Sequence, residues 1–132
     1  MTLPTTGQAL PELAVPITAG AIVAGAIATN DFENVHHDKA AAQATGVPDI
    51  FMNILTTNGF VQRYVSDWCG PAPRISGIAI RLGAPNFVGD TMKLTGEVAS
   101  VEDGRVAVSV RGRNSIGDHV IASVTLDYGA AG

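Results

Sequence analysis

Near residue 74 the hydrophobic period of this chain changes from helical to two, and that change limits the folds open to it. Upstream, the stretch from Ile50 to Trp68 carries Ile54, Leu55, Phe60, Val61, Tyr64, Val65 and Trp68. Positions 54, 61, 65 and 68 repeat at helical spacing and the other apolar residues fall off that stripe. The pattern predicts a long helix that is buried on most sides. Gly70-Pro71-Ala72-Pro73 stops it. Downstream, Ile75, Ile78 and Ile80 mark one strand, and Met92, Leu94, Gly96 and Val98 alternate with polar residues in a second. Asp103-Gly104 is a hairpin signal leading into Val106, Val108 and Val110. After a turn near Gly117-Asp118, Val120, Ala122, Val124 and Leu126 form a last strand. A sheet with one greasy face is covered most economically by the greasy helix. The expected class is α+β, a curled antiparallel sheet around a long central helix.

The first third is less regular. Residues 1–10 read as a loose, flexible arm, followed by a short strand at Glu12–Ile17. Thr18 is a candidate N-cap for a helix running to about Thr29, and Asn30-Asp31 breaks that helix. A short helix over about Asp38–Thr45 starts with an acid and ends at Gly46, with Pro48 beyond. At 132 residues the chain is one domain, 1–132, with a single core.

Composition removes several function classes. The net charge is −4 and the eight basic residues are scattered, which argues against nucleic acid. The single cysteine, Cys69, excludes an internal disulfide and a multi-cysteine metal site and is compatible with a cytoplasmic protein. The apolar run from Leu13 to Ala28 has no Lys or Arg before Lys39, contains Pro16 and is shorter than a membrane span. It reads as buried soluble structure, neither signal nor membrane segment. Only 15% of residues are charged, which suggests apolar surface covered by a partner chain.

The segment from Thr29 to Asp38 concentrates the chemistry: Asp31, Glu33, His36, His37 and Asp38 lie in one loop between helices. An Asp and a His brought together can hold one water and move its protons, since imidazole titrates near neutrality. An Asx-turn and a capping histidine would explain the same residues without catalysis. His37 reads as a solvated neighbour and Glu33 as a surface acid. Adjacent histidines diverge and no third ligand lies close in sequence, so a zinc site is disfavoured. Cys69 reads as buried filler. Among Arg74, Arg81, Arg105, Arg111 and Arg113, some suit phosphate contacts, though most read as strand-surface charges.

Asp31 and His36, five residues apart, resemble the signature of the MaoC-like hydratase family, a run of the form Asp-x-Asn-Pro-x-His. Glu33 and Asn34 stand here where that family usually has Asn and Pro. Met52-Asn53-Ile54-Leu55-Thr56 resembles the family's His-Gly-Met-Leu-Thr-like run, and Gly89-Asp90-Thr91 opens a strand as in many hot-dog proteins. The run from Asp49 to Gly59 is further similar to the small MaoC-like subunits of actinobacterial steroid side-chain degradation.

The resemblance implies a single hot-dog fold and an enoyl-CoA hydratase with Asp31 and His36 catalytic. It also implies that the Asn53 backbone N–H receives the thioester oxygen, with Ile54, Thr56 and Thr57 alongside it in substrate binding. The substrate carries coenzyme A, and no metal or other cofactor is implied. The implied partner is a second hot-dog chain, in a homodimer or a heterotetramer. Two alternatives stay open: a hot-dog thioesterase using Asp49 near the long helix, and a non-catalytic subunit of a heteromeric hydratase.

Overall fold

The computed structural model describes residues 2–129. Strand β1 (Ala9–Pro16) leads to helix α1 (Ala19–Ala28), a 3₁₀ turn at Asn34–His36 and a short helix α2 (Lys39–Ala44). The long helix α3 (Ile54–Cys69) is followed by β2 (Arg74–Leu82), β3 (Thr91–Glu102), β4 (Arg105–Arg113) and β5 (Asp118–Asp127). The five strands form one antiparallel sheet in the order β1-β3-β4-β5-β2. Val61, Tyr64 and Val65 of α3 pack into the core with Met92, Leu94, Val98, Val106, Val108, Val124 and Leu126.

Local signals explain most boundaries. The Thr18 hydroxyl caps α1 by accepting from Ala21 N–H, and the Asp38 carboxylate caps α2 by accepting from Ala40 and Ala41. Asp103 and Gly104 both take positive φ, 50° and 77°, the backbone required in a two-residue hairpin turn of this hand. In β2 the register shifts between Ile75 and Gly77. That bulge brings Ile75, Ile78 and Ile80 to one side despite their uneven spacing.

Three expectations are corrected. The first strand begins at Ala9, so the last two residues of the expected loose arm belong to the sheet, and Gly7 and Gln8 exchange backbone hydrogen bonds with Val98. Pro11 hid this, yet β1 is an edge strand with a bulge between Leu10 and Leu13, a place that tolerates proline. Helix α3 starts at Ile54, with Asn53 as its N-cap, instead of near Ile50. Neither α1 nor α3 is buried on most sides: α1 buries only Ile22 and Ala26, while Ile27, Ile54 and Leu55 are about half exposed. One sheet can cover only one face of a helix. Among the described residues, no helix is long and apolar enough to cross a membrane.

Candidate active site

Asp31 is presented by the end of α1. Asn30 adopts the left-handed conformation, φ 57°, and the chain closes the helix with Asn30 N–H to Ile27 C=O and Asp31 N–H to Ala26 C=O. This paired closure is a common helix stop, and Asn is one of the few non-glycine residues that accept the required backbone. It turns the Asp31 side chain out of the helix at a defined place. Asp31 Oδ1 accepts from Glu33 N–H at 3.1 Å, and Oδ2 accepts from Asn53 Nδ2 at 3.0 Å. First the Asn53 amide, then the Glu33 N–H, hold the Asp31 carboxyl below its ordinary pKa, with the charges of His36 and His37 adding to the effect. Asp31 is therefore a carboxylate at neutral pH. The Glu33 N–H bond makes the loop an Asx-turn, and it leaves Asp31 Oδ2 turned toward His36.

His36 ends the 3₁₀ turn and is buried. Its Nδ1 lies 2.6 Å from the Phe51 carbonyl oxygen, which can only accept, so Nδ1 carries the hydrogen. The Phe51 ring meets the imidazole edge-on, with centroids 5.0 Å apart. In the neutral ring Nε2 is then an acceptor, and it stands 3.5 Å from Asp31 Oδ2. A lone pair and a carboxylate oxygen at this separation can both contact one water. His37, part-exposed, donates from Nε2 to the Asp31 carbonyl at 2.8 Å, and its ring stacks on Phe32.

The third wall is the start of α3. The buried Asn53 caps the helix by accepting Thr56 N–H on Oδ1. The Thr56 hydroxyl also donates to Oδ1. Asn53 Nδ2 donates to Thr29 Oγ1 at 2.9 Å as well as to Asp31. The Asn53 main-chain N–H has no acceptor among the described residues. It belongs to a helix end that favours negative charge. Gly25 makes the approach of α1 possible, because a Cβ there would sit 2.3 Å from Thr56 Oγ1.

Of the other expected site residues, Ile54 is half exposed beside the cap. Thr56 supports Asn53. Thr57 is placed differently from expectation: it has no exposed surface and its hydroxyl is 2.8 Å from His119 Nε2. It is committed to the core and offers no group to a substrate. His119 had no local signal, since its partners Thr57 and the Ala84 carbonyl lie far away in sequence. Asp49 accepts from Ile50 N–H and pairs with Lys39 at 3.8 Å, so its carboxylate is spent on local structure. Cys69 is half-buried and burial raises its thiol pKa. Among the described residues, no three His, Cys, Asp or Glu side chains are grouped to hold a metal.

A curled antiparallel sheet around a helix, with an Asp/His pair at that helix's N-terminus, defines a hot-dog hydratase-type domain. The chain belongs to the MaoC-like domain family, whose model matches residues 3–119. Among individual proteins, it is 52% identical over 120 residues to the 3-oxo-4,17-pregnadiene-20-carboxyl-CoA hydratase beta subunit of Mycobacterium tuberculosis. That match covers 91% of this chain and 93% of the relative. The crystal structure of the ChsH1-ChsH2 complex from the same organism superposes with a TM-score of 0.92 at 50% identity, covering 95% of this chain and 98% of that one. The (R)-hydratase of A. caviae involved in PHA biosynthesis shares the fold, with a TM-score of 0.87 at 19% identity over 96% of this chain and 98% of that one.

Proposed function

We propose that this chain is an enoyl-CoA hydratase subunit, adding water across the 2,3 double bond of an acyl-CoA to give the 3-hydroxyacyl-CoA. The observation that carries this reading is His36 Nε2, the acceptor of the neutral ring, facing the Asp31 carboxylate at 3.5 Å. The 52% identity to a hydratase subunit supports it.

In this mechanism Asp31 and His36 hold one water. As its oxygen bonds to C3, His36 Nε2 takes a proton and the double-bond electrons move to the thioester oxygen. The Asn53 N–H receives that developing enolate, a role worth about 3 kcal/mol for comparable donors. The enolate then collapses, and C2 receives from the His36 imidazolium the proton that came from the water, giving syn addition with all atoms of water accounted for. Two N–H donors keep Asp31 ionised, so it orients the water and steadies the imidazolium instead of delivering the proton. Family resemblance implies the (R) product. The reaction needs no metal or redox cofactor.

For substrate and assembly, the relative acts on a steroid carboxyl-CoA and is a beta subunit, and the superposed structure is a complex of two chains. We infer a bulky steroid-type enoyl-CoA and a second hot-dog chain as partner. The exposed Ile27, Phe32, Ile54 and Leu55 near the site support a covering chain. A lone free thiol and a coenzyme A substrate fit a cytoplasmic location.

The test uses the purified protein with crotonyl-CoA and with a steroid enoyl-CoA, alone and with a candidate partner. Loss of the enoyl-thioester absorbance supports hydration. Release of free thiol instead would establish a thioesterase. No reaction under any of these conditions would leave only the non-catalytic subunit.

A further inference from the structure

Helix caps are usually interchangeable: Ser, Asp and Asn serve almost equally well. Asn53 does more than cap. Its amide orientation is fixed, because Thr56 N–H can only donate and so must face Oδ1. The other end is then Nδ2, whose two hydrogens go to Thr29 Oγ1 and Asp31 Oδ2. The whole side chain is committed, and it is only 3% exposed. The Oδ2 that it holds is the oxygen facing His36 Nε2.

Resting on the hydratase reading above, we propose that the Asn53 side chain is a positioning residue that fixes the Asp31 carboxylate against His36. Its main-chain N–H stays available to the thioester oxygen. One residue thus ties the oxyanion position and the water-binding carboxylate into a single rigid unit. The Thr56 hydroxyl of α3 braces it, and Gly25 of α1 leaves the room that Thr56 occupies. Loss of the amide leaves Asp31 tied only by Glu33 N–H on its other oxygen, free to rotate away from His36.

Asn53→Ser and Asn53→Asp test this, because each keeps a good cap and the main-chain N–H while removing the amide donor. A residue serving only as cap tolerates both. The clamp predicts that Asn53→Ser melts close to the native protein and that its kcat for enoyl-CoA hydration falls about 10- to 100-fold, with KM changed far less. Asn53→Asp falls further, since it sets a second carboxylate against Asp31. The Asp31 carboxyl titration, followed by carbon-13 NMR, moves up in Asn53→Ser as the donor is lost. The charges of His36 and His37 act on this carboxylate in both proteins, so they do not account for the change. A kcat within about twofold of native in Asn53→Ser, with an unmoved Asp31 titration, overturns the inference. A native protein that hydrates nothing, with or without a partner, overturns the proposed function, and the titration alone then decides whether the clamp exists.

Discussion

His36 Nδ1 donates to the Phe51 carbonyl across 2.6 Å, and this single contact decides which nitrogen is left for chemistry. A peptide carbonyl has no hydrogen to give, so the ring must carry its proton on the Nδ1 side when neutral. Nitrogen-15 NMR of the labelled imidazoles is therefore expected to show His36 as the Nδ1–H tautomer at alkaline pH. An Nε2–H tautomer would remove the base from the Asp31 side.

His119 is the interior counterpart of that arrangement. Its Nδ1 donates to Ala84 C=O at 2.7 Å, and Thr57 donates its hydroxyl hydrogen to Nε2. Burial lowers the His119 pKa below its ordinary value of 6.5, because the charged ring loses solvent, and the bond to the Ala84 carbonyl offsets only part of this. The sign follows from proton uptake. Between the lowered folded pKa and 6.5 the unfolded chain binds the proton and the folded one does not, so stability falls as pH drops through that window. Above it, the contribution is constant. Thermal denaturation from pH 8 down to about 5 is expected to show this loss, and His119→Gln is expected to flatten it. The Asp31 and Asp90 carboxyls, whose pKa values are depressed below 3.8, stabilise fully above that value and lose their contribution only as pH falls below it.

Gly25→Ala is expected to destabilise the fold and impair the site together. The added Cβ meets Thr56 at 2.3 Å from Oγ1 and 3.1 Å from Cβ, and a β-branched side chain on a helix has little freedom to turn aside. Helix α1 must back away from α3, at a cost of about 1–3 kcal/mol in chemical denaturation. Thr56→Ala in the same background is expected to recover part of the stability, since it removes the offending hydroxyl. It also removes that hydroxyl's hydrogen bond to Asn53. Native-like denaturation by Gly25→Ala alone would show that the helices do not meet this closely.

Features written in adjacent residues were legible in the sequence. Thr18, Asp38, Gly46 and Asp103-Gly104 carry local backbone preferences, and the structure uses them at those positions. Asp31 and His36 were legible as candidates because loop chemistry and spacing lie within one short segment. Contacts across long separations were not. Nothing near Asn53 signals that its amide reaches residues 29 and 31, and His119 lies 62 positions from Thr57. Bulges hid two strand features: Pro11 masks the start of β1, and the shift at Gly77 makes β2 look irregular. The half-exposed Ile54 and Leu55 follow from a chain read without what covers it.

Hydration kinetics of Asp31→Asn, His36→Ala and the double variant, assembled as the native protein is, bear most directly on the shared water. Asparagine at 31 turns an acceptor beside Nε2 into a possible donor, and alanine at 36 removes the base. Each single variant is expected to lose about 10²- to 10⁴-fold in kcat, with melting temperatures near native, and the double variant little more than either, because the two groups act on one water. Retention of most activity by either single variant, or losses that simply multiply in the double, would contradict the account.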